Sequence, residues 1–299
     1  MDIELGIAVY NKEELGWLDV GLENIIGKTK HNLNTTLYLS HATDSFLESC
    51  MELSDKYNLN FEPRGDNSFI HYYDEVKHRA FDIKKLKFAM VIQPDIIFTN
   101  KSSFDECIEQ SLPFLETKYQ INVSTDDPND ILPLGIQIFT RKMWEDIGCG
   151  DINYYPGPGS EYDEYRRCCI AWDSNILNDQ EKYNKYLDGK HTPDYIHRIY
   201  NKNMIHVGKY RGNISDGYPE DWRLFRKGKE YTNLVISDCL GFYGNHFLEY
   251  HFRKWGGIFK EEKYIHPFNN NNNGVKIEWD KSLDPYPESE YISLRGLVL

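Results

Sequence analysis

Three groups of residues in this sequence have the types and spacing to do chemistry. The first is Met90-Val91-Ile92-Gln93-Pro94-Asp95-Ile96-Ile97, an apolar run that opens abruptly onto Gln93-Pro94-Asp95 and then resumes. A short continuous apolar run reads as a strand buried on both faces. Ligands of open α/β sheets bind just beyond the carboxyl ends of such strands. That puts Asp95 where a metal ion or polar ligand would sit, although Pro-Asp is also ordinary turn chemistry. The second group is Ser160-Glu161-Tyr162-Asp163, which follows a loop rich in Gly and Pro between Gly148 and Gly159. Acids in a first helical turn face the positive end of the helix dipole, so Ser160 and Asp163 also read as a capping pair. The third is His206 with Lys209 and Arg211, a basic cluster in an acidic chain that suits phosphate. Tyr154, Tyr155, Tyr162 and Trp172 could offer ring faces to a sugar, although most aromatics simply pack.

These residues need a scaffold, and the hydrophobic periodicity supplies one. Residues 3–10 read as a first strand. Asn11 then caps a helix whose apolar face is Leu15, Leu18, Leu22, Ile25 and Ile26, with Gly27 placed to end it. Residues 35–39 read as a second strand, followed by a helix capped at Ser45, with Thr43-Asp44 read as part of that capping. A third helix carries Phe69, Tyr72, Val76, Ala80 and Ile83 and leads into a strand at 88–93. Strands alternating with helices imply βαβ units and a mostly parallel sheet. Further on, the spacing predicts a helix through Phe104 to Leu115 disturbed at Pro113. It then predicts a strand at 134–140, a short helix at Met143-Trp144, a helix from Ser160 through Trp172, and a strand near 203–207. The Asn269–Asn273 run is low in complexity and reads as a solvated loop.

Composition narrows the class. At 299 residues, with 40% hydrophobic and 27% charged residues, the chain can build a sizeable core as a soluble globular protein. A net charge of −13 argues against a polyanion bound over a broad surface, so no nucleic-acid partner is expected. Six scattered cysteines with no CxxC pair suit a reducing compartment. With no signal peptide and no stretch long enough to span a bilayer, the expected location is cytoplasmic. His246 and His251 do not make a His-Glu-x-x-His frame, and neither a Gly-x-Gly-x-x-Gly nor a P-loop follows the first strand.

Taken in order, three pieces resemble the inverting family 2 glycosyltransferases of the GT-A fold. Gly6-Ile7-Ala8-Val9-Tyr10-Asn11 looks like the opening strand and the turn that contacts the donor nucleotide, which implicates Ala8, Tyr10 and Asn11. Asp44 sits where the family often contacts the base or ribose. Gln93-Pro94-Asp95 stands at the Asp-x-Asp position. There the resemblance implies that Asp95 binds Mn²⁺ or Mg²⁺ against the donor diphosphate, while Gln93 replaces the first acid with a neutral amide. With Arg167 set on the family's late Arg, Ser160 to Asp163 falls on its Glu-Asp-x-Asp motif. Glu161 then takes the catalytic-base position and Asp163 the following acid. Met204 to Gly212 resembles the late His-x-Gly segment, which implies His206 as a second metal ligand and Lys209 and Arg211 near the diphosphate. Tyr155, Tyr162 and Trp172 are the acceptor-side aromatics.

The resemblance implies one GT-A-type domain over residues 1–299: a nucleotide-sugar-binding part over about 1–125, an acceptor and catalytic part over about 126–215, and a C-terminal extension over about 216–299. Its activity would transfer a monosaccharide from a UDP- or GDP-sugar to a glycan or other hydroxyl acceptor, with inversion. Two rivals stand beside it. A nucleotidyltransferase should carry a Gly-rich, basic signature where this chain has Tyr10-Asn11-Lys12-Glu13. A non-catalytic nucleotide- or glycan-binding domain gains weight from Gln93.

Overall fold

A computed structural model describes residues 1–9, 12–40, 44–64, 69–125, 135–154, 160–187, 192–207, 250–257 and 261–279. The amino-terminal part alternates as the sequence pattern requires: β1 (Asp2–Val9), α1 (Lys12–Ile25), β2 (Asn32–Ser40), α2 (Asp44–Tyr57), β3 (Asn60–Arg64), α3 (Phe69–His78) and β4 (Phe88–Ile92). Then come β5 (Ile96–Phe98), α4 (Ser103–Ser111), β6 (Gln120–Thr125), β7 (Ile136–Thr140), α5 (Arg141–Ile147), α6 (Ser160–Trp172), α7 (Gln180–Leu187), β8 (Ile196–Asn201) and β9 (Met204–His206). Residues 250–255 are also helical.

Seven strands form one sheet in the order β3-β2-β1-β4-β7-β6-β8, and β5 and β9 form a separate pair. Neighbours in the large sheet are parallel except at β7, which runs against both β4 and β6. This is the mostly parallel, helix-flanked sheet expected of a GT-A-type domain. Both faces are covered, and the two-residue period of a strand sorts the side chains between them. Ile3, Leu5, Ile7 and Val9 of β1 join Phe88, Met90 and Ile92 of β4 in a core under α1, α2 and α4. On the other face Ala8, Ala89 and Val91 meet Tyr72 and Val76 of α3, Met143 and Trp144 of α5, and Cys168 of α6.

Most local expectations hold, and the departures have physical causes. Gly27 adopts φ +71, a left-handed turn just beyond α1 that suits a residue without a Cβ. Phe69 to Ile83 is one continuous helical run, but its last five residues, Arg79–Ile83, widen into a π turn. α4 stops at Ser111, and Pro113 falls in a short 3₁₀ turn, because proline cannot donate the backbone bond that would continue an α-helix. Strands β3, β5, β6 and β8 are additions to the elements read from the sequence, and the polar stretch after Trp172, read as a connector, contains α7 and β8.

Candidate functional site

Strand order reverses between β1 and β4. The chain leaves β1 toward β2 and β3 on one side, and returns to lay β4 on the other. Such a switch point opens a crevice outside the carboxyl ends of the two strands. Ile7 is level with Ile92 across this pair, so Ala8 and the Gln93-Pro94-Asp95 turn share that edge. Tyr10 and Asn11 lie outside the described residues, as do Tyr155, Lys209 and Arg211. Asp44 is the first residue of α2, at the end of β2 on the same edge.

The turn after β4 is fixed by backbone bonds. The Gln93 N–H donates to the Gly135 carbonyl at 3.2 Å, and the Ile96 N–H donates to the Gln93 carbonyl at 3.3 Å. The chain then enters β5, which pairs antiparallel with β9 so that Ile96 stands opposite His206. The Val207 N–H donates to the Asp95 carbonyl at 2.9 Å and continues the ladder by one rung. This pairing leaves Asp95 Oδ2 3.5 Å from His206 Nε2, with both residues more than nine-tenths buried. Behind them α1 presses on β5 at Gly21. A Cβ built there would stand 2.6 Å from the Ile96 carbonyl oxygen, so only glycine fits without movement.

A carboxylate and an imidazole side by side match part of the donor set of a divalent cation. Among the described residues, no group of three or more His, Cys, Asp or Glu side chains could hold a metal. Among the described residues, these two could supply two of the ligands of such a cation. Mg²⁺ typically binds in this way, through one or two carboxylates plus phosphate oxygens.

α6 carries the acids. Its last residue, Trp172, packs edge-to-face on Tyr119 at 5.0 Å and lies near Tyr195. Those two tyrosines immediately precede β6 and β8, which puts Trp172 at the amino edge of the sheet. At about 1.5 Å per residue, the first turn of α6 lies roughly 18 Å from Trp172 along the helix axis, and Tyr165 between them also packs on Tyr195, at 5.7 Å. Glu161 belongs to that first turn. Tyr162, beside it, is 37% exposed.

Asp163 is fully buried and heavily bonded. The Arg167 Nε–H donates to its Oδ2 at 2.8 Å. Its Oδ1 accepts from the Trp255 Nε1–H at 2.8 Å and pairs with the Lys254 ammonium at 2.7 Å. Burial alone would raise this carboxyl, but Lys254 and Arg167 outweigh it and hold it down at about 2. Lys254 also reaches Asp151 Oδ2 at 2.5 Å, an oxygen that accepts from the Tyr250 hydroxyl at 2.7 Å. The next residue of α6, Glu164, pairs with Lys77 of α3 at 3.1 Å, and Lys77 pairs with Asp74 at 2.9 Å. Asp74 accepts the Gly150 N–H at 2.8 Å. Burial would lower the Lys77 ammonium, yet the two carboxylates raise it. His251 is buried between the Tyr154 hydroxyl, 2.7 Å from Nδ1, and Glu262, 3.1 Å from Nε2.

Asp74, Lys77, Asp151, Lys254 and Trp255 were not among the residues singled out from the sequence. Asp151 read as one more loop residue, and residues 250–257 carry no motif. An unpaired charge is expensive inside a protein, so only the fold shows that these charges are internal and matched.

No protein-family model and no curated protein matches the chain. Solved structures that match part of the chain include a mannosyltransferase from Pyrobaculum calidifontis in complex with GDP-Man and Mn²⁺. It is 9% identical, with a TM-score of 0.42, over 63% of this chain and 68% of the other. A cytidylyltransferase from Leptospira borgpetersenii is 12% identical, with a TM-score of 0.43, over 70% of this chain and 83% of the other. TarS of S. aureus, residues 1–349, is 12% identical, with a TM-score of 0.41, over 63% of this chain and 71% of the other.

Proposed function

We propose that the protein is a glycosyltransferase that moves a monosaccharide from a nucleotide-sugar, a UDP- or GDP-sugar, to a hydroxyl acceptor such as a glycan, with inversion. The observation that carries this reading is the meeting of Asp95 and His206, brought together by β5 and β9 at the topological switch point. Asp95 and His206 would hold Mn²⁺ or Mg²⁺, which when bound offsets the charge of the leaving diphosphate. Ala8, Tyr10, Asn11, Asp44 and Gln93 are the proposed contacts to the donor nucleotide, and Lys209 and Arg211 the proposed contacts to its diphosphate.

In this reading Glu161 takes the proton from the acceptor hydroxyl. The oxygen then forms a bond to the anomeric carbon as the bond to the diphosphate oxygen breaks on the opposite side. A carboxylate held at about 2 accepts a proton poorly at neutral pH, which favours Glu161 over Asp163 as the base. Tyr155 and Tyr162 are the proposed acceptor contacts. Incubating a panel of UDP- and GDP-sugars with the protein and Mn²⁺ or Mg²⁺ tests the reading. Release of nucleoside diphosphate that disappears on chelation is expected. Absence of both release and nucleoside diphosphate binding across the panel would overturn it.

A further inference from the structure

We propose that Lys254 is the positioning residue for the base of this reaction, fixing the first turn of α6 from the carboxy-terminal part of the chain. The inference rests on the glycosyltransferase reading above and deepens it.

The ammonium of Lys254 is fully buried and bridges two carboxylates on different segments, Asp151 before α6 and Asp163 within it. The two acids lie on either side of residues 155–159, so Lys254 ties the chain before that stretch to the helix after it. Arg167 also binds Asp163, but from the same helix, and its other arm donates to the Ile147 carbonyl at 2.7 Å. Trp255 also donates to Asp163 and Tyr250 to Asp151, but among the described residues Lys254 is the side chain that meets both acids. Positions 161 and 163 stand about 200° apart around the helix axis, at 3.6 residues per turn. Anchoring Asp163 in the interior therefore sets the rotation of the first turn, and with it the direction in which position 161 is presented.

Stability alone is a weak reason for this arrangement. Four buried charges, Asp151, Asp163, Lys254 and Arg167, sum to zero, yet each is costly to desolvate. Well-packed apolar residues in such places are often as stable or more so. What an ion network adds is direction, and direction matters for a base. A misplacement of about 1 Å can cost about 100-fold in rate.

The test compares the full-length protein with Lys254→Met, Lys254→Arg and the charge-rebalanced pair Asp151→Asn/Lys254→Met. Readouts are the melting temperature, the donor KM, and the kcat and pH profile of nucleoside diphosphate release from the panel sugar that the parent uses. Lys254→Met is expected to lower kcat about 100-fold, with donor KM within about threefold. It should also move the acid limb of the profile upward, because a cation beside the acids is gone. Lys254→Arg should recover most of the rate. The rebalanced pair should regain melting temperature and remain slow, since the ammonium that meets both acids is still gone. Recovery of rate in step with melting temperature in that pair would overturn the proposal, as would a Lys254→Met enzyme within about threefold of the parent. If Lys254→Met does not fold, the arginine variant and the rebalanced pair decide alone. A parent that binds and hydrolyses none of the sugars overturns the functional reading and this proposal together. An active parent with an indifferent Lys254 overturns only the latter.

Discussion

At the scale of single residues, the first turn of α6 separates two roles that the sequence leaves entangled. Asp163 has both oxygens committed to buried donors, and its charge is already matched. Asp163→Asn is expected to cost stability, about 3 kcal/mol, because it leaves buried cations undercompensated. Glu161→Gln should leave the melting temperature nearly unchanged and slow turnover by roughly 10²–10⁴-fold. Calorimetric melts set beside initial rates for the two variants check this. Equal rates with unequal melts would place the base elsewhere. At the other side of the proposed site, Asp95→Ala should abolish metal-dependent nucleoside diphosphate binding, as read by isothermal titration. Gln93→Ala should weaken it less, because an amide contributes a hydrogen bond without charge.

At the scale of elements, α1 holds β5 in place through one glycine. Gly21→Ala forces a Cβ against the Ile96 carbonyl and should destabilise by about 1–3 kcal/mol. Because Ile96 follows Asp95 directly, the same variant should weaken cation-dependent nucleotide binding. Gly16, on the same helix, has no neighbour within 4 Å of a built Cβ, so Gly16→Ala should gain up to about 1 kcal/mol and leave binding alone. Paired melts and titrations distinguish the close approach from a general effect of alanine. Elements built on strong apolar periodicity, such as β1, α1, α3 and β4, were legible in the sequence. Edge strands β3 and β8 were not, because Pro63 in one and the polar run of the other look like connectors, as strands at a sheet edge often do. β6 hid for a different reason: Asn122, Ser124 and Thr125 are buried polar residues, which breaks the expected alternation. The reversal of β7 pairs it with β6, the strand just before it, and with the more distant β4, a partner that no local pattern encodes.

At the scale of the whole molecule, the candidate site was legible where it rides on ordered motifs and opaque where it rides on buried charge. Asp95, His206 and the acids of α6 could be named from residue order. Lys254 and Asp151 could not, since a lysine or aspartate looks the same in sequence whether solvated or internal. Buried charge also predicts a pH response. The carboxyl of Asp163 is lower in the folded chain, at about 2, than in the unfolded chain, at about 3.9. Its stabilising contribution is therefore complete above about pH 4 and is lost as pH falls toward 2, on the order of 2 kcal/mol. Urea unfolding of the parent and of Asp163→Asn across that range should converge at the acid end. The reaction itself should proceed by a single displacement. Proton NMR of the first product should show the anomeric configuration inverted, and retention would exclude a lone base on α6.

The β5–β9 pair has a consequence for how the protein assembles. Its strands come from distant parts of the chain, and closing so long a loop costs entropy that only late, native contacts repay. Asp95 and His206 are thus expected to become neighbours late in folding, after the strands between them have found their places. A ligand that bridges the two should leave the refolding rate almost unchanged and slow unfolding, since it stabilises an interaction absent from the transition state. Denaturant jumps with and without nucleoside diphosphate and Mn²⁺ would show this as a shift of the unfolding arm alone.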